Sequence, residues 1–193
     1  MSLRTRARTG RRWIAVALVL AAVGVGGLVA PRLRQPMEAV FTPVADTYVS
    51  TAHPDANYGT EPTLRVDATP RIRSYLRFRV TEVSGRIVGA RLRLWSPTGD
   101  LAGYSVHPVP SGWVEGDLTS TSRPTADTPV ARSGPFGPGS WSSVDVARLL
   151  DDSRDISFVV TTRSRQTITF ASREGHHRPQ LVLWTRPAPQ PSH

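Results

Sequence analysis

"RSYLRFRV", residues 73–80, alternates without a break: Arg73, Tyr75, Arg77 and Arg79 fall on one side of an extended chain, and Ser74, Leu76, Phe78 and Val80 fall on the other. A period of two is the strand period, because successive side chains of a pleated strand point to opposite faces. One face can then enter a core while the other meets solvent, as in an antiparallel sheet buried on one side. After the turn "TEVSGRI" the alternation returns in "VGARLRLW", residues 88–95. There Val88, Ala90, Leu92 and Leu94 are expected inward, and Arg91, Arg93 and Trp95 outward.

Working outward from these two stretches, runs rich in Val, Leu, Ile, Thr, Tyr and Phe mark candidate strands at 46–50, 63–67, 73–80, 88–96, 102–109, 141–146, 156–162, 167–172 and 180–185. Between them lie Gly-, Pro-, Asp- and Ser-rich turns such as "HPDANYGTEP" and "RSGPFGPGS". Helical periodicity is nearly absent. "SVDVARLLDD", residues 143–152, holds one helical turn with Ser143 or Asp145 as its cap. Strands with one-sided alternation specify an all-β fold, a two-sheet antiparallel β-sandwich of jelly-roll type.

The 193 residues leave room for one such domain plus extras. Cysteine is absent, so apolar burial must supply the stability that disulfides give elsewhere. The net charge of +9 is concentrated at the start: Arg4, Arg6, Arg8, Arg11, Arg12, Arg32 and Arg34 all precede Glu38, the first acidic residue. From Glu38 onward seventeen basic residues face fifteen acidic ones. Nucleic-acid binding is therefore a poor fit to the folded part. All 24 basic residues are arginine, a composition bias that weakens any argument from their number alone.

Residues 13–30, "WIAVALVLAAVGVGGLVA", carry no charge and follow a basic segment, residues 1–12. That is the pattern of a signal anchor or signal peptide forming one N-terminal hydrophobic helix. The positive-inside rule then places residues 1–12 in the cytoplasm and the rest outside it, membrane-anchored or secreted by a bacterium. Residues 31–40 form a linker, 41–185 the sandwich and 186–193 a proline-rich tail. A monomer is expected.

If 73–80 and 88–95 pair across their turn, Arg73, Tyr75, Arg77, Arg79, Arg91, Arg93 and Trp95 form one outer patch. Guanidinium forks match carboxylates bidentately, and flat rings stack on the apolar faces of sugars. The patch is thus a candidate grip for an acidic polysaccharide or cell-wall polymer. The plain alternative is a solvated face whose arginines cover aromatic neighbours and pair with acids across strands.

Several ordered stretches, "FTPVADTYV", "NYGTEPTLRV", "RSYLRFRV", "VGARLRL", "WVEGDLT", "WSSVDV" and "ITFASREGHHRPQLVL", together resemble the DNRLRE-type domains grouped with carbohydrate-binding module family 96. The resemblance covers 41–184. It implies a β-sandwich that binds polysaccharide, alginate-type acidic polymers among its targets.

Other residues have quieter readings. Asn57, Tyr58 and Gly59 make a turn with an aromatic plug. Trp113 and Glu115 are either a loop platform for sugar or part of the core. No cofactor is expected. A structural calcium held by Asp46, Asn57, Asp67 and Glu174 is the metal worth weighing, though their spacing matches no metal-loop motif. "REGHHRP" groups Glu174 with His176 and His177, the residue types of a zinc site, in what reads as a solvated turn. No nucleophile elbow or phosphate loop occurs, and "DDSRD", residues 151–155, is a charged turn before it is a catalytic pair. The chain is read as a non-enzyme. Its alternative role is an envelope structural or protein-interaction domain with no glycan ligand.

Overall fold

The computed structural model describes residues 35–187 apart from 82, 127, 129, 130, 151 and 152. Its strands are β1 (Met37–Phe41), β2 (Pro43–Ser50), β3 (Thr63–Ala68), β4 (Arg71–Arg79), β5 (Arg86–Ser96), β6 (Ser105–Pro108), β7 (Ala131–Arg132), β8 (Ser140–Asp145), β9 (Asp155–Thr161), β10 (Ile168–Ala171) and β11 (Gln180–Arg186). They form two antiparallel sheets: a four-stranded one, order β1-β11-β5-β8, and a seven-stranded one, order β10-β3-β4-β9-β6-β7 with β2 paired to β4. Each stretch expected to be a strand contains one. The helical turn expected within 143–152 is the 3-10 turn Ala147–Leu149, but its N-cap is Val146 rather than Ser143 or Asp145; Asp145 Oδ1, one residue earlier, accepts the Ala147 N–H at 2.9 Å.

The inward rows of 76–80 and 90–94 enter the core as expected. Leu76 and Phe78 of β4 meet Ala90, Leu92 and Leu94 of β5 in one core, with Phe158, Phe170, Leu181 and Leu183 around them. The expected pairing of β4 with β5 is not correct. β4 lies beside β2, β3 and β9, and β5 lies beside β11 and β8 in the other sheet. Six residues separate Arg79 from Arg86, ample for the roughly 10 Å between stacked sheets. They cross from one sheet to the other and turn at Gly85, whose φ is +88°. A Cβ there would lie 2.1 Å from the Arg186 carbonyl oxygen, so the crossing needs glycine. The same apolar rows that would line one side of a hairpin instead face each other, and their polar rows point in opposite directions.

Two further departures are local. Val88, expected inward, is 37 % exposed, while its neighbour Ile87 packs on the core. Gly89 pairs with Trp184 and Ile87 with Thr185, so Val88 is the extra residue of a β-bulge, which reverses the parity beyond it. Residues 37–40, expected as linker, belong to β1, an edge strand that pairs with β11 along its whole length.

The expected hydrophobic helix over 13–30 lies outside the described residues, as does most of the expected tail. Among the described residues no helix is long and apolar enough to cross a membrane.

A second apolar cluster sits on the far side of the seven-stranded sheet. Ala45, Val49, Tyr75 and Val159 of that face are covered by Val109, Trp113 and Leu118 from the segment after β6. Trp113 is buried there, with its Nε1 donating to Ser157 Oγ at 3.2 Å and its ring edge-on to Tyr75 at 6.2 Å. Asn57 secures this cover: its Nδ2 donates to the carbonyls of Glu115 at 2.6 Å and Leu118 at 2.9 Å. Gly59 allows the close approach, since a Cβ would lie 2.7 Å from Glu115 Cγ. Tyr58 stacks on Tyr48 with ring centroids 4.2 Å apart.

Candidate functional site

The covering segment decides the fate of the β4 row. Tyr75, expected outward, is 0 % exposed beneath it. Arg77 reaches up into the segment, Nη1 donating to the carbonyls of Ser111 at 3.1 Å and Trp113 at 2.7 Å, with its guanidinium 5.3 Å from the Trp113 ring centre. Arg79 is exposed but pairs with Asp155, its register partner on β9, at 2.9 Å. Arg73 is half-buried beside Tyr75; burial pushes the Tyr75 hydroxyl up, and the Arg73 guanidinium pulls it partly back. These four residues share no face with Arg91, Arg93 and Trp95. The single shelf expected from the sequence is replaced by two faces on opposite sheets, one of them roofed.

The β5 row remains open, and its neighbours enlarge it. Register sets Arg91 between Val182 and Asp145, Arg93 between Gln180 and Ser143, and Trp95 opposite Trp141. The Arg91 guanidinium lies 5.5 Å from the Trp184 ring centre, and that of Arg93 lies 4.9 Å from the Trp141 ring centre. Arg93 Nη1 also donates to Gln180 Oε1 at 2.9 Å. Trp95 stacks on His177 at 4.3 Å with the planes 10° apart, and Trp141 meets the same imidazole edge-on at 6.2 Å. At the far side Trp184 Nε1 donates to Glu38 Oε2 at 3.1 Å. Among the described residues neither Arg91 nor Arg93 forms a salt bridge with a carboxylate.

Gly89 gives Trp184 its place. A Cβ on Gly89, directly across from Trp184, would lie 3.3 Å from the ring atom Cε3, so the bare backbone lets the indole rest over β5. Trp141, Trp184 and His177 were not among the residues expected on this face. The signal was present for the two tryptophans: each begins or closes a row shared with polar residues, Ser143 and Asp145 for Trp141 and Gln180 for Trp184. For His177 there was none, because only the fold brings the β10–β11 turn over Trp95.

The outer face of the four-stranded sheet thus carries three tryptophans and two arginines that, among the described residues, form no salt bridge with an acid. The sequence model of carbohydrate-binding module family 96 matches residues 37–185 of the chain. The chain belongs to carbohydrate-binding module family 96. No curated protein matches the chain. The match begins with β1, which agrees with that strand's place in the sheet.

Two of the four oxygen donors weighed for calcium meet in one cluster, and the other two are engaged elsewhere, Asn57 next to that cluster on Glu115 itself. Asp46 and Glu174 join Glu115, each offering a carboxylate oxygen within 4.8 Å of the others. Asn57 is committed to backbone groups of the covering segment, and Asp67 accepts from Thr69 N–H at 2.8 Å and Thr167 Oγ1 at 2.5 Å. Asp46 is buried, and burial, then the backbone N–H of Arg173 pulling down and the charges of Glu174 and Glu115 pushing up, leave its carboxyl raised to about 8. Glu115, weighed with Trp113 as a loop platform, turns one oxygen to the protein: its Oε1 accepts the Asp46 N–H at 2.7 Å. His177, grouped with Glu174 in the sequence as a zinc reading, turns instead toward Trp95.

Proposed function

We propose that this module, a jelly-roll-type sandwich without catalytic activity, binds an acidic polysaccharide or cell-wall polymer through the open face of the four-stranded sheet. The observation that carries the reading is the array of indoles across that face, two beside a guanidinium, Arg91 with Trp184 and Arg93 with Trp141, and one on an imidazole, Trp95 with His177. Rings held flat offer stacking surfaces to the apolar faces of pyranoses. Guanidinium groups already braced on those rings offer fixed forks to uronate carboxylates or other anionic substituents, so little side-chain freedom is lost on binding. The uncharged segment 13–30 behind a basic leader supports work outside the cytoplasm, anchored to a membrane or released from it.

Affinity electrophoresis of the detergent-solubilised full chain against alginate, pectin, hyaluronan and teichoic-acid-containing wall tests this. Retardation by at least one acidic polymer, lost in Arg91→Ala and Arg93→Ala, is the expected result. Equal mobility of wild type and both variants on every polymer would end the proposal. The second reading, an envelope interaction domain, draws on Arg77 and Arg79, which serve the protein's own structure. It predicts a protein captured from solubilised membranes and no glycan retardation.

A further inference from the structure

We infer that Asp46, Glu115 and Glu174 form a calcium site at the seam where β2, the 3-10 turn Glu115–Asp117 and the β10–β11 turn meet. Two independent observations carry it. The first is geometric: the three carboxylates offer oxygens within 4.8 Å of one another although they come from distant parts of the chain. One ion with oxygen ligands at about 2.4 Å, the calcium distance, reaches atoms no more than about 4.8 Å apart. The second is a loose end. Asp46 is 1 % exposed, its Oδ2 accepts the Arg173 N–H at 2.8 Å, and its Oδ1 is buried without a hydrogen-bond partner among the described residues. A buried carboxyl oxygen left so is costly, and a cation supplies what it lacks.

The competing occupant is Arg173. Its Nε bonds Glu174 Oε1 at 2.8 Å but stands 3.9 Å from Glu115 Oε1, and its contact with Asp46 is through the backbone. One guanidinium against two glutamates and the Asp46 carboxyl, which it does not reach, leaves the cluster short of positive charge. The hard, all-oxygen donor set selects an alkaline-earth ion over zinc or copper, which prefer nitrogen and sulfur. A cleft of about 410 Å³ lined by Pro43, Arg173, Glu174 and Arg178 gives solvent a way to Glu174.

The ion would tie three pieces together. Glu115 belongs to the segment that roofs Tyr75, and Glu174 to the turn that carries His177 onto Trp95. Calcium would therefore clamp the roof and brace one end of the open face.

Differential scanning fluorimetry and isothermal titration calorimetry of the full chain, with calcium chloride after EDTA treatment, test the site without reference to any glycan. A dissociation constant in the micromolar-to-millimolar range is expected, with a Tm rise of about 5–10 °C at calcium a hundredfold above it. Glu115→Gln and Glu174→Gln, both at solvent-accessible positions, should each weaken calcium binding at least about tenfold. Asp67→Asn serves as control: it breaks a structural hydrogen-bond pair and should lower Tm while leaving the calcium response intact. No calcium response in the wild type would show that Arg173 suffices and overturn the site. A response that persists undiminished in both glutamine variants would overturn it too.

Discussion

Arg77 and Arg93 occupy outward positions of successive strands, yet one holds the protein together and the other faces its surroundings. Arg77→Ala removes two part-buried hydrogen bonds to backbone carbonyls and a ring contact. Its Nε is itself buried without a partner among the described residues, which offsets part of the gain. A loss of about 1–2 kcal/mol in urea unfolding is expected, with glycan retardation per folded molecule unchanged. Arg79→Ala should change stability by less than about 1 kcal/mol, because its pair with Asp155 is solvent-exposed. Arg93→Ala should leave the urea midpoint nearly in place and weaken polymer binding about tenfold. Tyr104 offers a different check. It is buried, burial pushes its hydroxyl up to about 12 with the nearby Ser142 pulling slightly back, and no group stands at hydrogen-bonding geometry to it among the described residues. The folded state keeps this proton while the unfolded chain releases it near pH 10, so stability falls as pH rises from about 10 to about 12. Tyr104→Phe should flatten that part of the alkaline unfolding curve at no cost in stability at neutral pH.

At the scale of elements, the roof over the seven-stranded sheet is the structure's main departure from simple alternation. Trp113→Ala would empty the centre of the second cluster and cost about 3–5 kcal/mol, measurable by urea or thermal unfolding. The need for a roof was legible in β9: "DISFVVT" places Phe158 and Val159 side by side, apolar on both parities, the pattern of a strand buried on both faces. Which segment would supply the cover was not legible, because Trp113 lies 38 positions from Tyr75 and no local rule links them. On the opposite sheet Gly89→Val should push the Trp184 indole off β5. Glycan binding would then fall about as far as in Trp184→Ala while the fold persists, as circular dichroism would show.

For the whole molecule, the near balance of charge beyond Glu38 means that the arginines of the open face act locally rather than through a long-range field. Raising ionic strength from about 0.05 to 0.5 M should weaken binding to an acidic polymer without abolishing it, since screening acts on the guanidinium contacts and leaves ring stacking in place. Affinity electrophoresis at graded salt would show this. A salt-independent retardation would mean that the tryptophans act alone.

The strands, the side each turns to the core and the outward course of Arg91, Arg93 and Trp95 were determined by the sequence itself, because a period of two follows from the covalent geometry of an extended chain and needs no knowledge of neighbours. Only the tertiary structure decided that β4 and β5 would face each other across a core, that Tyr75 and Arg77 would be roofed, and that Asp46, Glu115 and Glu174 would meet. Those outcomes depend on where each connection lays the chain down, and on which distant apolar surface wins the exposed back of a sheet. No local pattern encodes that competition, since it is settled among contacts between residues far apart in the chain.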